Sequence, residues 1–371
     1  MKPKRILLLD LGSVKGGVET YLERLAGILK GKAALDCICI LPELARNLEA
    51  QGVRVILLPQ FGAATKPLSF LITAILMPIV ILRDKVDAVQ VNGFLEAVYL
   101  PLVRLIGREA VYTRHGPFEI DLFPWYRNPR KFLPRFISKL CARFSSRIIC
   151  VSEDVKTTVL DVIPEERAIV IQNWVSYVPA YKPRPPMLTG PARLLCVARI
   201  ERYKGIHLVI EAMRTLPGVG LTVVGDGGYR KELERLADGL NVRFEGYQAN
   251  PAAYYETSDI FIMPSMGPEG SSMGALEAMA FGLPCLLSDI PVYTELTGSG
   301  QAAMHFRSGD AGDLREKLAL LVHDDALRAS YSREGYETVR TRFNADVARD
   351  SYLAAFAVET TPRTASTAAR G

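Results

Sequence analysis

Short apolar runs recur along the chain at intervals that suit alternating strands and helices. In the first half they are RILLLDLG from residue 5, LDCICIL from 35, VRVILLP from 53, DAVQVNG from 87, EAVYTRHG from 109 and SRIICVS from 146. In the second half they are RLLCVARI from 193, VGLTVVGDG from 219, VRFEGY from 242, DIFIMPS from 259, LPCLLSD from 283 and QAAMHF from 301. Segments with helical spacing, such as GGVETYLERLAGILKG from residue 16, separate most of them. Strands that are apolar almost throughout, with helices between, belong to parallel sheets covered on both faces. Between the halves lies SYVPAYKPRPPMLTGPARL, with proline at 179, 183, 185, 186 and 191. Proline at that density continues neither a helix nor a central strand. The pattern predicts an α/β protein of two doubly wound, Rossmann-like domains. The first spans residues 1–176, a Pro-rich linker follows over 177–192, and the second spans 193–342. A C-terminal helix over 343–357 is expected to pack back toward the first domain. The small, polar stretch 358–371 is expected to be disordered.

Composition agrees with this division. The 371 residues are 49% hydrophobic and 23% charged, enough for two sizeable cores. A net charge of +5 is mild for this length and gives no reason to expect a nucleic-acid partner. The six cysteines lie apart, mostly in apolar runs and without a C-x-x-C pair. They read as reduced core thiols of a cytoplasmic protein. The start, MKPKRILLLDLG, is basic and then apolar, but Asp10 interrupts it and a first buried strand is expected there. The run PLSFLITAILMPIVIL over 67–82 contains Pro78 and falls short of the roughly 20 residues that cross a bilayer. It predicts a buried or surface-inserted helix.

Chemistry collects at the strand ends of the second half. In VARIERYKG, Arg199 follows a strand, and Lys204 and Gly205 begin the next helix. Two cations beside a helix N-terminus can clamp a phosphate; the plainer alternative is a pair of solvated charges. The next strand ends in VVGDGG, where Gly225 and its neighbours permit close backbone approach. A third runs into PSMGPEGSSMGALEAMAFGLP, which holds Glu269 in a glycine-rich loop and Glu277 in the following helix. In an open α/β sheet such ends face one crevice, here the cleft between the domains.

These segments together resemble the donor domain of glycosyltransferase family 4 (glycosyl transferases group 1), retaining enzymes of the GT-B fold. The spacing of Glu269 and Glu277 matches its E-x7-E signature. The sequence ALEAMAFGLP is characteristic, GSVKGGVE from residue 12 resembles its N-terminal glycine loop, and TRHG from 113 resembles its acceptor-side histidine segment. The resemblance covers nearly the whole chain. It departs from common forms at EGSSM, at QNWVS and at Asn92, where a histidine is frequent. It implies that Arg199 and Lys204 bind the donor diphosphate and neutralise charge on the leaving phosphate. Glu277 would accept hydrogen bonds from ribose, and Glu269 would reach the sugar ring. Backbone N–H groups of Ser272, Met273 and Gly274 would face phosphates or sugar hydroxyls. Gly16 and Gly17 would let the first loop approach the donor, and His115 would orient donor sugar or acceptor.

The scheme implies a nucleotide-diphosphate sugar as donor substrate and no metal or other cofactor. HDDA around Asp324 reads as a helix cap, and neither a P-loop nor a G-x-G-x-x-G motif follows the first strand. From Arg127 to Arg147 there are seven cations and no acid, with Arg135, Lys139, Arg143 and Arg147 four residues apart beside Phe132, Phe136, Leu140 and Phe144. This stripe over 127–147 predicts contact with an anionic membrane surface, or a solvated basic face on an ordinary helix. The combined expectation is a glycosyltransferase moving a hexose to a lipid-linked sugar or glycolipid of cell-surface polysaccharide, cytoplasmic or peripheral on the inner membrane face. The rival readings are a nucleotide-sugar epimerase on the same fold and a non-catalytic nucleotide-sugar-binding protein.

Overall fold

The computed structural model describes residues 4–12, 16–59, 66–116, 139–141, 143–160, 163–183, 190–267 and 269–357. The strands of the first sheet are β1 (Arg5–Asp10), β2 (Ala34–Cys39), β3 (Arg54–Leu57), β4 (Ala88–Val91), β5 (Glu109–Arg114), β6 (Arg147–Cys150) and β7 (Ala168–Val170). All pair in parallel, in the order β3-β2-β1-β4-β5-β6-β7. The second sheet comprises β8 (Ala192–Val197), β9 (Val219–Val224), β10 (Val242–Gly246), β11 (Ile260–Met263), β12 (Cys285–Ser288) and β13 (Met304–Phe306). It is also parallel, in the order β10-β9-β8-β11-β12-β13. Both orders reverse once, between β1 and β4 and between β8 and β11. Each reversal opens a crevice beyond the carboxyl ends of the strands.

Alternate residues of one strand explain the unbroken apolar runs. Leu7 and Leu9 of β1 enter one core, while Ile6 and Leu8 enter another on the opposite face of the sheet. The first is covered by the helix Lys66–Arg83 and the segment Leu95–Leu105, the second by the helices Gly17–Leu29 and Pro42–Ala50. The six cysteines are buried and form no disulfide. Strand β7, three residues at the sheet edge, is the strand that the sequence reading does not include.

The chain passes between the domains twice, and the two crossings run side by side. Val175 N donates to Phe343 O at 2.9 Å, and Val175 bridges Asn344 in parallel. Trp174 lies in the core of the first domain and Val175 in that of the second. After this crossing the described part of the Pro-rich segment lies on the second domain. There Tyr336 Oη donates to Pro179 O at 2.9 Å, and Tyr181 Oη meets Ser332 Oγ at 3.1 Å. The helix Asp325–Arg342 is capped by Asp324, whose Oδ1 accepts from Leu327 N at 2.8 Å. The last helix, Ala345–Ala357, lies on the first domain, with Ala348, Tyr352, Ala355 and Phe356 in its core. Tyr352 Oη and Tyr21 Oη are 2.6 Å apart. A further clasp joins the domains: the Glu295 carboxylate accepts from Glu153 N at 3.0 Å and Asp154 N at 3.4 Å, at the start of the helix Glu153–Leu160.

The basic stripe over 127–147 lies mostly outside the described residues, as does the tail 358–371. Its last member departs from the helical spacing. Arg147 opens β6, and its guanidinium donates to Ala355 O of the last helix. A residue committed to the sheet and to that carbonyl does not continue a helical face.

Candidate functional site

The second-domain half of the site forms where β8, β9 and β11 end. After β8 the chain makes a single helical turn, Arg202–Lys204, and Gly205 (φ +70°) redirects it into the helix Ile206–Met213. A Cβ on Gly205 would sit 1.9 Å from Pro264 O, beyond the end of β11, so only glycine allows this approach. At Gly225 (φ +135°) a Cβ would lie 1.9 Å from Ala198 O, which locks the end of β9 against that of β8. At Gly274 a Cβ would lie 2.6 Å from Val197 O, so the helix Met273–Ala280 begins directly over β8.

This packing brings Lys204 and Glu269 together, 65 residues apart in sequence. Lys204 Nζ donates to Glu269 Oε1 at 2.5 Å, with the two side chains only 11% and 7% exposed. Ser265 Oγ donates to the same carboxylate oxygen at 2.7 Å and accepts from Tyr293 Oη at 3.1 Å. Glu269 is therefore held by two donors, one of them fixed in turn by Tyr293. Arg199, two residues beyond β8, is exposed at the mouth of the crevice, and its charge acts on Glu19 across the cleft.

Ser272 caps the helix Met273–Ala280, its Oγ accepting from Ala275 N at 3.3 Å. That hydroxyl is taken up by the cap, while the first N–H groups of a helix lack intrahelical partners and can face an anion. Glu277, one turn in, is held from both domains: Tyr255 Oη donates to Oε2 at 2.9 Å and the Arg24 guanidinium donates to Oε1. Arg24 comes from the helix Gly17–Leu29 and also donates to Trp174 O at 2.7 Å.

The first-domain half is set by β1, β4 and β5. Gly16 N donates to Glu19 Oε2 at 2.7 Å as the helix Gly17–Leu29 begins, while a Cβ on Gly17 would meet no atom of the described residues within 4 Å. Packing among the described residues thus does not require glycine at 17. His115 follows β5, its ring edge-on to Tyr21 with centroids 4.5 Å apart. Burial pushes its pKa down to about 4, so the imidazole is neutral at pH 7, and its buried Nε2 has no partner among the described residues. The backbone at His115 touches the glycine-rich loop of the other domain: a Cβ on Gly270 would lie 1.8 Å from His115 O.

At the end of β1 the carboxylates of Asp10, Glu19 and Glu96 gather around Gly12. A Cβ there would lie 2.5 Å from Glu19 Oε1 and 3.3 Å from Asp10 Oδ2. Glu96 accepts from Leu11 N at 3.1 Å. Asp10 is buried, and burial, followed by repulsion from Glu19 and Glu96, raises its pKa to about 7. Burial also raises Glu19, against the opposing charge of Arg199.

Of the residues singled out in the sequence, the structure joins Lys204 to Glu269 and sets His115 against the loop that follows Glu269. Gly225 and Gly274 shape the crevice floor. Gly16 and Gly17 begin the helix that reaches Glu277 through Arg24. Arg24, Tyr255, Asp10 and Glu96 escaped the sequence reading as site residues, and each acts through a partner that only the fold brings near. Ser265 escaped it too, although it lies four residues before Glu269 in the same glycine-rich stretch.

Two facing doubly wound domains, with a basic turn, a helix start and two carboxylates at one strand-end crevice, are the GT-B arrangement. Structures with this fold align over nearly the full length. Anabaena HepE in complex with UDP and glucose matches with a TM-score of 0.81 at 20% identity, over 95% of this chain and 99% of that one. The lipopolysaccharide outer core galactosyltransferase WaaB matches with a TM-score of 0.73 at 16% identity, over 95% and 99%. The sequence model described as Glycosyltransferase Family 4 matches residues 15–177, and that described as Glycosyl transferases group 1 matches 180–338. The chain belongs to this family of glycosyltransferases and is a transferase. Among its relatives, the lipopolysaccharide core biosynthesis glycosyltransferase LpsE of Rhizobium meliloti is 28% identical over 71% of this chain and 81% of its own. The phosphatidyl-myo-inositol mannosyltransferase of Mycobacterium leprae is 32% identical, but over 42% of this chain and 45% of its own.

Proposed function

We propose that the chain is a retaining, metal-independent glycosyltransferase that moves a hexose from a nucleotide-diphosphate sugar to a hydroxyl of a lipid-linked sugar or glycolipid, in the synthesis of cell-surface polysaccharide. The observation that carries this reading is the buried Lys204–Glu269 pair beneath a helix N-terminus, with Arg199 at the rim of the same crevice. Lys204 and Arg199 neutralise charge that grows on the departing diphosphate as the anomeric C–O bond breaks, the role a divalent cation serves elsewhere. Glu269, oriented by Lys204 and Ser265, accepts from hydroxyls of the donor sugar. Glu277, oriented by Tyr255 and Arg24, accepts from the ribose. His115, neutral and beside the Gly270 loop, offers a hydrogen bond to the sugar rather than a charge.

Support for a UDP-hexose comes from the HepE structure, whose fold this chain shares and which holds UDP and glucose. Support for a polysaccharide or glycolipid acceptor comes from LpsE, named for lipopolysaccharide core biosynthesis. Retention of configuration rests on the family likeness.

Thermal unfolding with a panel of UDP-, GDP- and ADP-hexoses identifies the donor, since a ligand at 100 times its Kd stabilises the fold by about 2.7 kcal/mol. Incubation of that donor with a lipid extract should then yield a glycosylated lipid, and Glu269→Ala and Lys204→Ala should abolish transfer. Full turnover by both variants would overturn the assignment. Donor conversion without any acceptor would identify an epimerase instead, and binding without turnover a non-catalytic protein.

A further inference from the structure

The helix Lys66–Arg83 has two apolar faces, and the fold covers one. Met77, Val80 and Ile81 are buried in the core beneath the first sheet. Leu68, Leu71, Ile75, Ile79 and Leu82 are between 41% and 60% exposed. Their spacing of three and four residues makes one stripe, about 21 Å long at 1.5 Å per residue. The outer face of a helix on a globular domain is ordinarily polar. Here the only charges in the element are at its ends, Lys66 and Arg83.

The apolar surface continues onto the next segment. Phe70 and Tyr99 stack with ring centroids 5.9 Å apart, and Tyr99 Oη donates to Phe70 O at 2.6 Å. This contact places the segment Leu95–Leu105 beside the helix, and it exposes Leu95, Val98 and Leu105. Cations accompany the stripe. Arg83, Lys85 and Arg104 are exposed on these elements, and Lys139 and Arg143 are exposed around Cys141, which packs into the same core. The acids nearby are engaged: Asp84 is paired with Arg54 and Arg83, and Glu96 is buried. An apolar stripe with a cationic surround complements an anionic lipid headgroup layer, and a second protein surface would need matching acids of its own. Among the described residues no helix is long and apolar enough to cross a membrane, and Pro78 interrupts this one.

We infer that this face docks the protein on anionic lipid bilayers, with Leu71, Ile75, Ile79 and Leu82 entering the interface and Lys85 and Arg104 near lipid phosphates. The docking rests on this surface alone, independently of the transferase reading. It gives the helix Lys66–Arg83 the apolar part of the contact, beside Lys139 and Arg143 of the basic stripe over 127–147.

Co-sedimentation of the full chain with phosphatidylcholine vesicles, with and without 30% phosphatidylglycerol, tests it. Wild type should bind the anionic vesicles at least tenfold more tightly than the neutral ones. Leu71→Gln/Ile75→Gln/Ile79→Gln should lose at least tenfold at both low salt and 0.5 M salt, because these contacts are not screened. Lys85→Glu/Arg104→Glu should lose binding mainly at low salt. All these positions are exposed, so melting temperature and circular dichroism should be unchanged. Unaltered binding by the glutamine variant overturns the proposal. So does equal binding to both vesicle types, or a wild-type dimer that the glutamine variant converts to monomer, since the stripe would then belong to self-association.

Discussion

Consider replacing Lys204 by methionine, which keeps most of the stem volume and removes the charge. In the structure Lys204 Nζ lies 2.5 Å from Glu269 Oε1, with both side chains nearly buried. Without it the Glu269 carboxylate keeps Ser265 Oγ, at 2.7 Å, as its donor among the described residues. Breaking one partner of a buried ion pair costs about 3–5 kcal/mol, because the other charge stays out of water uncompensated. Lys204→Met should therefore lower stability by about that amount. Adding Glu269→Gln removes the stranded charge, so the double variant should recover about 1–3 kcal/mol relative to the sum of the single losses. Activity should behave differently. If Lys204 stabilises charge on the leaving diphosphate, its loss costs about 10²–10³ in kcat, or roughly 2.7–4 kcal/mol. The second substitution cannot restore that. Urea unfolding midpoints of the four proteins, set beside their kcat/KM with the donor found in the thermal panel, separate the two roles. A double variant that recovers turnover along with stability would refute the argument, since Lys204 would then serve only to hold Glu269.

Three further outcomes follow from the geometry. Gly17→Ala meets no atom of the described residues within 4 Å, so stability should change by less than about 0.5 kcal/mol while donor affinity falls; equal affinity by calorimetry would show that no ligand approaches there. Gly270→Ala drives a Cβ to 1.8 Å from His115 O, which should force the two domains apart, read as an increased radius of gyration by small-angle scattering and a loss of turnover with both domains still folded. Asp10, with its pKa raised from 3.8 to about 7, retains a proton in the folded chain over a pH range where the unfolded chain has lost it. Stability from this group is full below about pH 4 and falls as pH rises to 7, by an amount on the order of 4 kcal/mol. Asp10→Asn should flatten that decline in urea titrations at pH 5 and pH 7, and an unchanged slope would count against the burial argument.

Much of the architecture was legible along the chain. Parallel strands covered on both faces are largely apolar, so twelve of the thirteen strands show up as apolar-rich runs. Strand β7, at one edge of the first sheet, is not among them. The helix over 66–83 shows the limit of composition. Its apolar content signals contact with something nonpolar, yet only the placement of Met77, Val80 and Ile81 in the core reveals which face the fold uses and which it leaves exposed.

The candidate site divides in the same way. Lys204, Glu269 and Glu277 sit at strand ends and in a spaced motif, signals that are local and survive in a linear string. Apart from Ser265, four residues before Glu269, their partners are not local. Tyr293 reaches Ser265, and through it Glu269, because β11 and β12 are neighbours, and Arg24 reaches Glu277 because two crossings at Val175 and Phe343 set one domain over the other. Likewise, the sequence shows a histidine after a strand, and only the fold buries it and pushes its pKa down. Periodicity and spacing along the chain determine which elements form and which residues lie at their ends. Burial, charge state and contact across a cleft depend on residues far apart in the chain, and only the folded arrangement decides them.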